Sequence, residues 1–198
     1  MEGHRSSYAD NVRHNANRLM GFILKHKWKI VAGIALFFLY VNATNTISSL
    51  LFIVFLIAVA AFSTFYKYWF KLSFGFELVT MTTVVTTILY GAIIGMIVGL
   101  ISAILAELLP QMIESSSIFW ITSVTLSALI VSVMHALGAS ILAMGLASFA
   151  FQMLISEPIR LIGPIEVRMQ AFLYLFTGFL WNLFIFTKVA PLLIAIMR

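Results

Sequence analysis

The chain has 198 residues, of which 62% are apolar and only 10% charged, too few charges to cover the surface of a water-soluble fold. Its formal net charge is +5 and it contains no cysteine, which excludes disulfides and thiolate metal sites. From Ser115 to Ser156 there is no Asp, Glu, Lys or Arg, and a helix over those 42 residues would be roughly twice the ~30 Å hydrocarbon thickness, so the stretch should cross a bilayer twice.

Residues 1–27 read as a basic cytoplasmic segment; the first 29 residues hold six of the 12 Lys and Arg. Tyr8, Val12, Ala16, Leu19 and Ile23 recur at helical spacing, which fits an amphipathic helix on an anionic membrane surface. A mobile basic tail fits equally. No small-residue cleavage site follows the apolar stretch, so the first span reads as an uncleaved anchor and 28–198 as a single transmembrane domain. Polar, turn-forming residues from Asn42 to Ser49 divide the first uncharged run into spans of about 28–42 and 47–66. Lys67, Tyr68, Trp69 and Lys71 then combine rings with basic groups, as membrane interfaces favour. A third span is expected over 77–109, long enough to need tilt or a kink, and Pro110 stops it. The long uncharged stretch divides around His135 and Gly138 into spans near 118–134 and 139–155. A polar connection from Glu157 to Arg168 leads to the last, about 168–188, with a continuation through Pro191 to the C-terminus left open. The fold class is thus all-α, a polytopic transmembrane bundle of about six spans; no charge fixes the split at His135, so five or seven remain open. Lys and Arg in the short loops predict a cytoplasmic N-terminus in a multi-pass cell-membrane protein. The loop bearing Arg160 and Arg168 falls outside in that arrangement, its charge balanced by Glu157 and Glu166, and is either a functional exception to the rule or a sign that the span count is off by one.

The third span carries the strongest internal pattern. Glu77, Thr80, Thr83, Thr87, Gly91, Gly95, Gly99, Ser102 and Ala106 are three or four residues apart, so on one continuous helix they share a face that must look inward. Gly91, Gly95 and Gly99 form two overlapping G-x-x-x-G units, which suit close helix packing and, alternatively, a sliding surface or a cavity lined by hydroxyls. A second stripe, Ala139, Ala143 and Ala147, suits packing within the chain or docking onto a partner subunit. Glu77 and His135 are ionisable residues near the hydrocarbon boundary; with six spans both fall near the cytoplasmic face, where a gating pair is conceivable beside simpler topological roles. At the opposite face Asn42, Asn45, Glu107, Gln111, Glu114, Ser115, Ser116, Trp120 and Arg160 are placed to converge on a small polar solute, or else to be solvated loop residues. No nucleotide-binding loop, zinc motif, nucleophile elbow or acidic metal cluster is present, so neither an enzyme nor a cofactor is expected. The basic charge needs no nucleic acid to explain it.

The segment Phe76 to Leu109, with Glu77-Leu78-Val79-Thr80, Tyr90-Gly91, Gly95, Gly99-Leu100-Ile101-Ser102 and Ala103, resembles a glycine-rich span of the substrate-binding S components of energy-coupling-factor transporters. It is also similar to the membrane subunit MreD of the bacterial rod-shape machinery. The resemblance covers about a sixth of the chain. The first family implies a ligand pocket at the outer face, a vitamin, precursor or metal ion as substrate, and docking onto a coupling subunit driven by two ATPases. Its Ala-x-x-x-Ala docking signature is absent here, where the first span has Ala32, Gly33 and Ala35, and so is a histidine-rich N-terminus for metal capture. The function expected is substrate binding in membrane transport; the alternative, as in an MreD-like protein, is a non-catalytic scaffold that holds membrane partners.

Overall fold

The computed structural model describes residues 47–70, 73–111, 116–162 and 164–197. The expected basic segment 1–27 and span 28–42 lie outside the described residues, as do Asn42, Asn45, Glu114 and Ser115. The chain divides into a unit ending at Ser48 and one from Ser49 to Arg198, and the second is the subject here. Every regular element among the described residues is helical: α1 (Ile47–Ser63), α2 (Tyr66–Phe70), α3 (Val79–Tyr90), α4 (Ala92–Leu108), α5 (Ser117–Ala136), α6 (Ile141–Leu161), α7 (Ile165–Phe184), a π turn (Ile185–Val189) and α8 (Ala190–Met197). Four stretches, Ser49–Phe70, Ser117–Ala136, Ile141–Leu161 and Val167–Met197, are long and apolar enough to cross a bilayer, which marks a membrane protein. Outward-facing Ile93, Leu154 and Phe172 are more than half exposed, an arrangement that hydrocarbon satisfies and water does not.

The continuous span expected over 77–109 is not present. Two helices of 12 and 17 residues, roughly 18 and 26 Å long, replace it and fold back on each other at Gly91. Gly91 has φ +90° and ψ 171°, a conformation essentially confined to glycine, and its N–H closes α3 onto the Thr87 carbonyl at 2.9 Å. The glycine stripe serves the return. A Cβ at Gly95 would run into the Thr87 side chain, and one at Gly99 would lie 2.7 Å from Thr83 Oγ1. Gly95 and Thr87 are each four residues from Gly91, and Gly99 and Thr83 each eight. The threonines and glycines read as one face therefore meet each other across a hairpin.

Residues 79–88 of α3 are all buried, although their Val, Thr and Ile content is poor helix-forming material in water. Thr83, Thr86 and Thr87 donate to the carbonyls of Val79, Thr82 and Thr83, four residues back, at 3.0, 2.7 and 2.7 Å. Their hydroxyls are thereby satisfied without leaving the apolar interior. Thr80 instead reaches across to α6 and donates to Gln152 Oε1 at 2.9 Å, and Thr82 reaches the Leu56 carbonyl of α1. Thr64 ties the end of α1 to the Ala106 carbonyl of α4 at 2.8 Å.

The division near His135 and Gly138 is present: α5 ends at Ala136, and Ser140 caps α6 by accepting the Ala143 N–H at 3.2 Å. The last helix continues past 188. Pro191 cannot donate to a carbonyl one turn back, and the π turn just before it widens the helix without ending it. Buried Phe186 from that turn packs where a Gly145 Cβ would be, so Gly145 lets the π turn approach α6 closely. Ala139, Ala143 and Ala147 lie half-buried beside it.

Candidate functional site

Because α3 leaves one end of the bundle and α4 returns to it, Glu77 and Glu107 become neighbours. Lys67 of α2 stands between them, its Nζ 3.6 Å from Glu77 Oε2 and 3.5 Å from Glu107 Oε1. Each carboxylate is fixed through its other oxygen. The Tyr174 hydroxyl of α7 donates to Glu77 Oε1, and the Ser117 hydroxyl at the start of α5 donates to Glu107 Oε2 at 2.5 Å. Trp120, one turn into α5, places its indole 5.5 Å from Lys67 Nζ, centroid to nitrogen, where the ring face attracts a cation. From the last turn of α6, Arg160 pairs with Glu157 at 3.2 Å and lies 5.7 Å from the Tyr174 ring centre.

These groups surround a cavity of about 50 Å³, lined also by the hydroxyl-bearing Ser73, Ser116 and Ser156. Its charged walls are nearly closed to solvent: Glu77 is 4% exposed, Lys67 7% and Arg160 8%. Beneath them Ala60, Val79, Ala103, Ala106, Trp120 and Val124 form an apolar floor. The strand-like connection before α3 is held against α7 by backbone proximity. Gly75 has φ +68°, and a Cβ there would lie 2.7 Å from Gly178 Cα; Trp181 donates to the Glu77 carbonyl at 3.2 Å, and Thr177 donates to that of Phe74. Glu77 lies in this connection and is thus aimed by α7. Among the described residues, the Trp120 indole N–H finds no acceptor.

Of the residues expected to converge on a solute, Glu107, Ser116, Trp120 and Arg160 line this cavity, while Gln111 is exposed on the turn after α4 with φ +54°. Glu77 joins them, contrary to its expected place at the other end. The proposed Glu77–His135 pair is excluded by geometry. His135 is exposed near the C-terminal end of α5, 18 residues or ~27 Å beyond Ser117, which is tied to the cluster. Ser102 is buried on the inner face of α4. Lys67, Ser117, Glu157 and Tyr174 were not expected. The sequence signal nearest to them marks the hairpin and not these four residues: Glu77 and Glu107 bracket an uncharged run, Leu78–Ala106, with Tyr90-Gly91 close to its middle.

The chain matches no protein-family model, no curated protein and no solved structure.

Proposed function

We propose that this protein is the substrate-binding membrane subunit of a small-molecule transporter, and that the charged chamber at the end of the bundle holds the solute. The observation that carries this reading is the partly open cavity, walled by buried charges, between α2, α5, α6, α7 and the ends of the α3–α4 hairpin. Taking an ion out of water costs several kcal/mol even after relaxation, so carboxylates, an ammonium and a guanidinium gathered around a void are poorly explained by packing alone. A volume of about 50 Å³ suits a polar head group or a very small solute. A vitamin-sized ligand, which needs roughly 300 Å³ or more, requires helix movement that opens the chamber.

In this reading six described helices form the membrane bundle, α3 and α4 being a short pair between four long crossings. Lys67, Arg160 and Arg168 then lie at the chamber end, while the turn at Gly91 and the connection 137–140 carry no Lys or Arg. The positive-inside rule puts the chamber end in the cytoplasm, as it does the basic N-terminal segment. The Arg160–Arg168 connection ceases to be an exception, because the hairpin turns the chain back once more than a single third span does. This departs from the outer pocket that the S-component resemblance implies, and a site on this side serves release on uptake or loading on export.

A scaffold reading draws on a different feature, the half-buried Ala139, Ala143 and Ala147 stripe, which offers a smooth face to another membrane protein; in the transport reading the same stripe would receive a coupling subunit driven by ATPases. Native mass spectrometry separates the two. The protein is purified in mild detergent with its copurifying species and analysed before and after denaturation. A small polar solute released on unfolding is expected, with its occupancy reduced ~10-fold or more in Arg160→Ala by loss of a charged contact. Stoichiometric membrane proteins without any solute would instead favour the scaffold.

A further inference from the structure

Lys67 differs from the acidic groups around it in how it is held. Glu77 and Glu107 are each anchored through one oxygen by a hydroxyl from another helix, so their positions do not depend on the lysine. Lys67 reaches them on a flexible four-carbon stem, and its contacts of 3.6 and 3.5 Å exceed the ~2.7–2.9 Å of a charge-assisted hydrogen bond. Among the described residues, Glu77 Oε2, on a side chain 3% exposed, accepts no hydrogen bond. The Trp120 face closes the third side, 5.5 Å from the nitrogen. Two carboxylates and an indole face around one nitrogen are the elements with which proteins recognise a free organic cation. Here the cation is tethered to the protein.

We propose that Glu77, Glu107 and Trp120 form a primary-ammonium site of which Lys67 is the displaceable occupant, and that an amine-bearing solute binds by exchanging with it. The proposal rests on the solute-binding reading and names the solute class: a small primary amine whose head group enters the cavity. Exchange rather than addition follows from electrostatics. A second ammonium beside Lys67 would place two like charges a few ångströms apart in a low-dielectric chamber, whereas replacement leaves the charge around the carboxylates unchanged. The displaced lysine sits on the short α2 at the chamber end, from which a long stem carries its charge towards the interface.

The test is ammonium rescue of the full-length protein in mild detergent, read as the midpoint of thermal unfolding. Lys67→Ala is titrated with n-propylammonium, sodium and tetramethylammonium chlorides at matched ionic strength. The expected result is a saturable rise of ~3 °C or more with n-propylammonium alone, absent from the Lys67→Ala/Glu77→Gln double variant and needing higher concentrations in the wild type. An equal rise with sodium assigns an inorganic cation, and an equal rise with tetramethylammonium a general salt effect; either overturns the proposal. Should Lys67→Ala yield no folded protein, the wild-type titration decides, since a flat response to the primary amine also overturns it. A copurifying solute without an amine, together with a flat titration, removes the amine site and leaves solute binding standing. An ammonium-specific rise in a protein that carries only membrane partners supports the site and removes the transport reading.

Discussion

Tyr174 and Ser117 hold the two carboxylates that face Lys67, and each does so with a single hydroxyl. Removing one hydroxyl leaves a buried carboxylate oxygen short of a donor, which costs about 1–3 kcal/mol and more for a charged acceptor. Tyr174→Phe is therefore expected to lower stability in a mild-detergent unfolding titration by ~2 kcal/mol, with the midpoint shifted and the slope unchanged. Glu107→Ala is more severe, because Lys67 and Ser117 both lose a partner; a loss of ~3–5 kcal/mol is expected, the scale of a broken buried ion pair. An unchanged midpoint in both variants would mean that the cluster is wetter than its burial implies. At this scale the sequence was only partly legible. Trp120, Glu107 and Arg160 stood out by type, since charged and indole groups are rare in an apolar chain. Tyr174 and Ser117 did not, because an aromatic and a hydroxyl within an apolar run look like ordinary filling until a partner from a distant helix is known.

The hairpin of α3 and α4 depends on two different properties of glycine. At Gly91 the backbone conformation itself is the requirement, and Gly91→Ala should cost about 1–3 kcal/mol although nothing lies within 4 Å of the missing Cβ. At Gly95 the backbone is ordinary and the space is occupied, so Gly95→Leu must displace Thr87 and force the two helices apart. Distances between spin labels on exposed Ile93 and Leu108 are insensitive to the first substitution; a label pair at Phe76 and Leu108, at the open ends of the two arms away from the Gly91 turn, should widen with the second. No widening in Gly95→Leu would mean that the arms are not in close contact. The G-x-x-x-G spacing announced close packing, but not that the partner was the same segment folded back. Periodicity of three and four residues is preserved on both sides of a turn placed on the stripe itself, so the pattern continues across the break. Only the glycine at the middle of a run too long for one simple crossing marked the place.

For the whole molecule, the hairpin adds one reversal, and that reversal gathers Lys67, Arg160 and Arg168 at one end. Sidedness is testable without background, because the chain has no cysteine of its own. In right-side-out vesicles, a cysteine at exposed Arg168 should react with a membrane-impermeant maleimide only after permeabilisation, and one at exposed Leu137 should react at once. The reverse pattern would place the chamber outside. The apolar runs made the membrane and most long helices legible, since hydropathy sums over many residues and tolerates local error. Which ends meet was not legible, because a single undetected turn inverts every later loop. The burial of α3 has a further consequence for how the protein is made. With residues 79–88 walled off from lipid by α4, α5, α6 and α8 and tied to α1 through Thr82, that helix has no hydrocarbon-facing surface of its own, and at ~18 Å it is too short to be stable alone across a bilayer. It cannot be settled as it leaves the ribosome. Its place exists only once α5 and α6 have been synthesised, so chains arrested after Leu108 should hold this segment in a protease-accessible state that later synthesis removes.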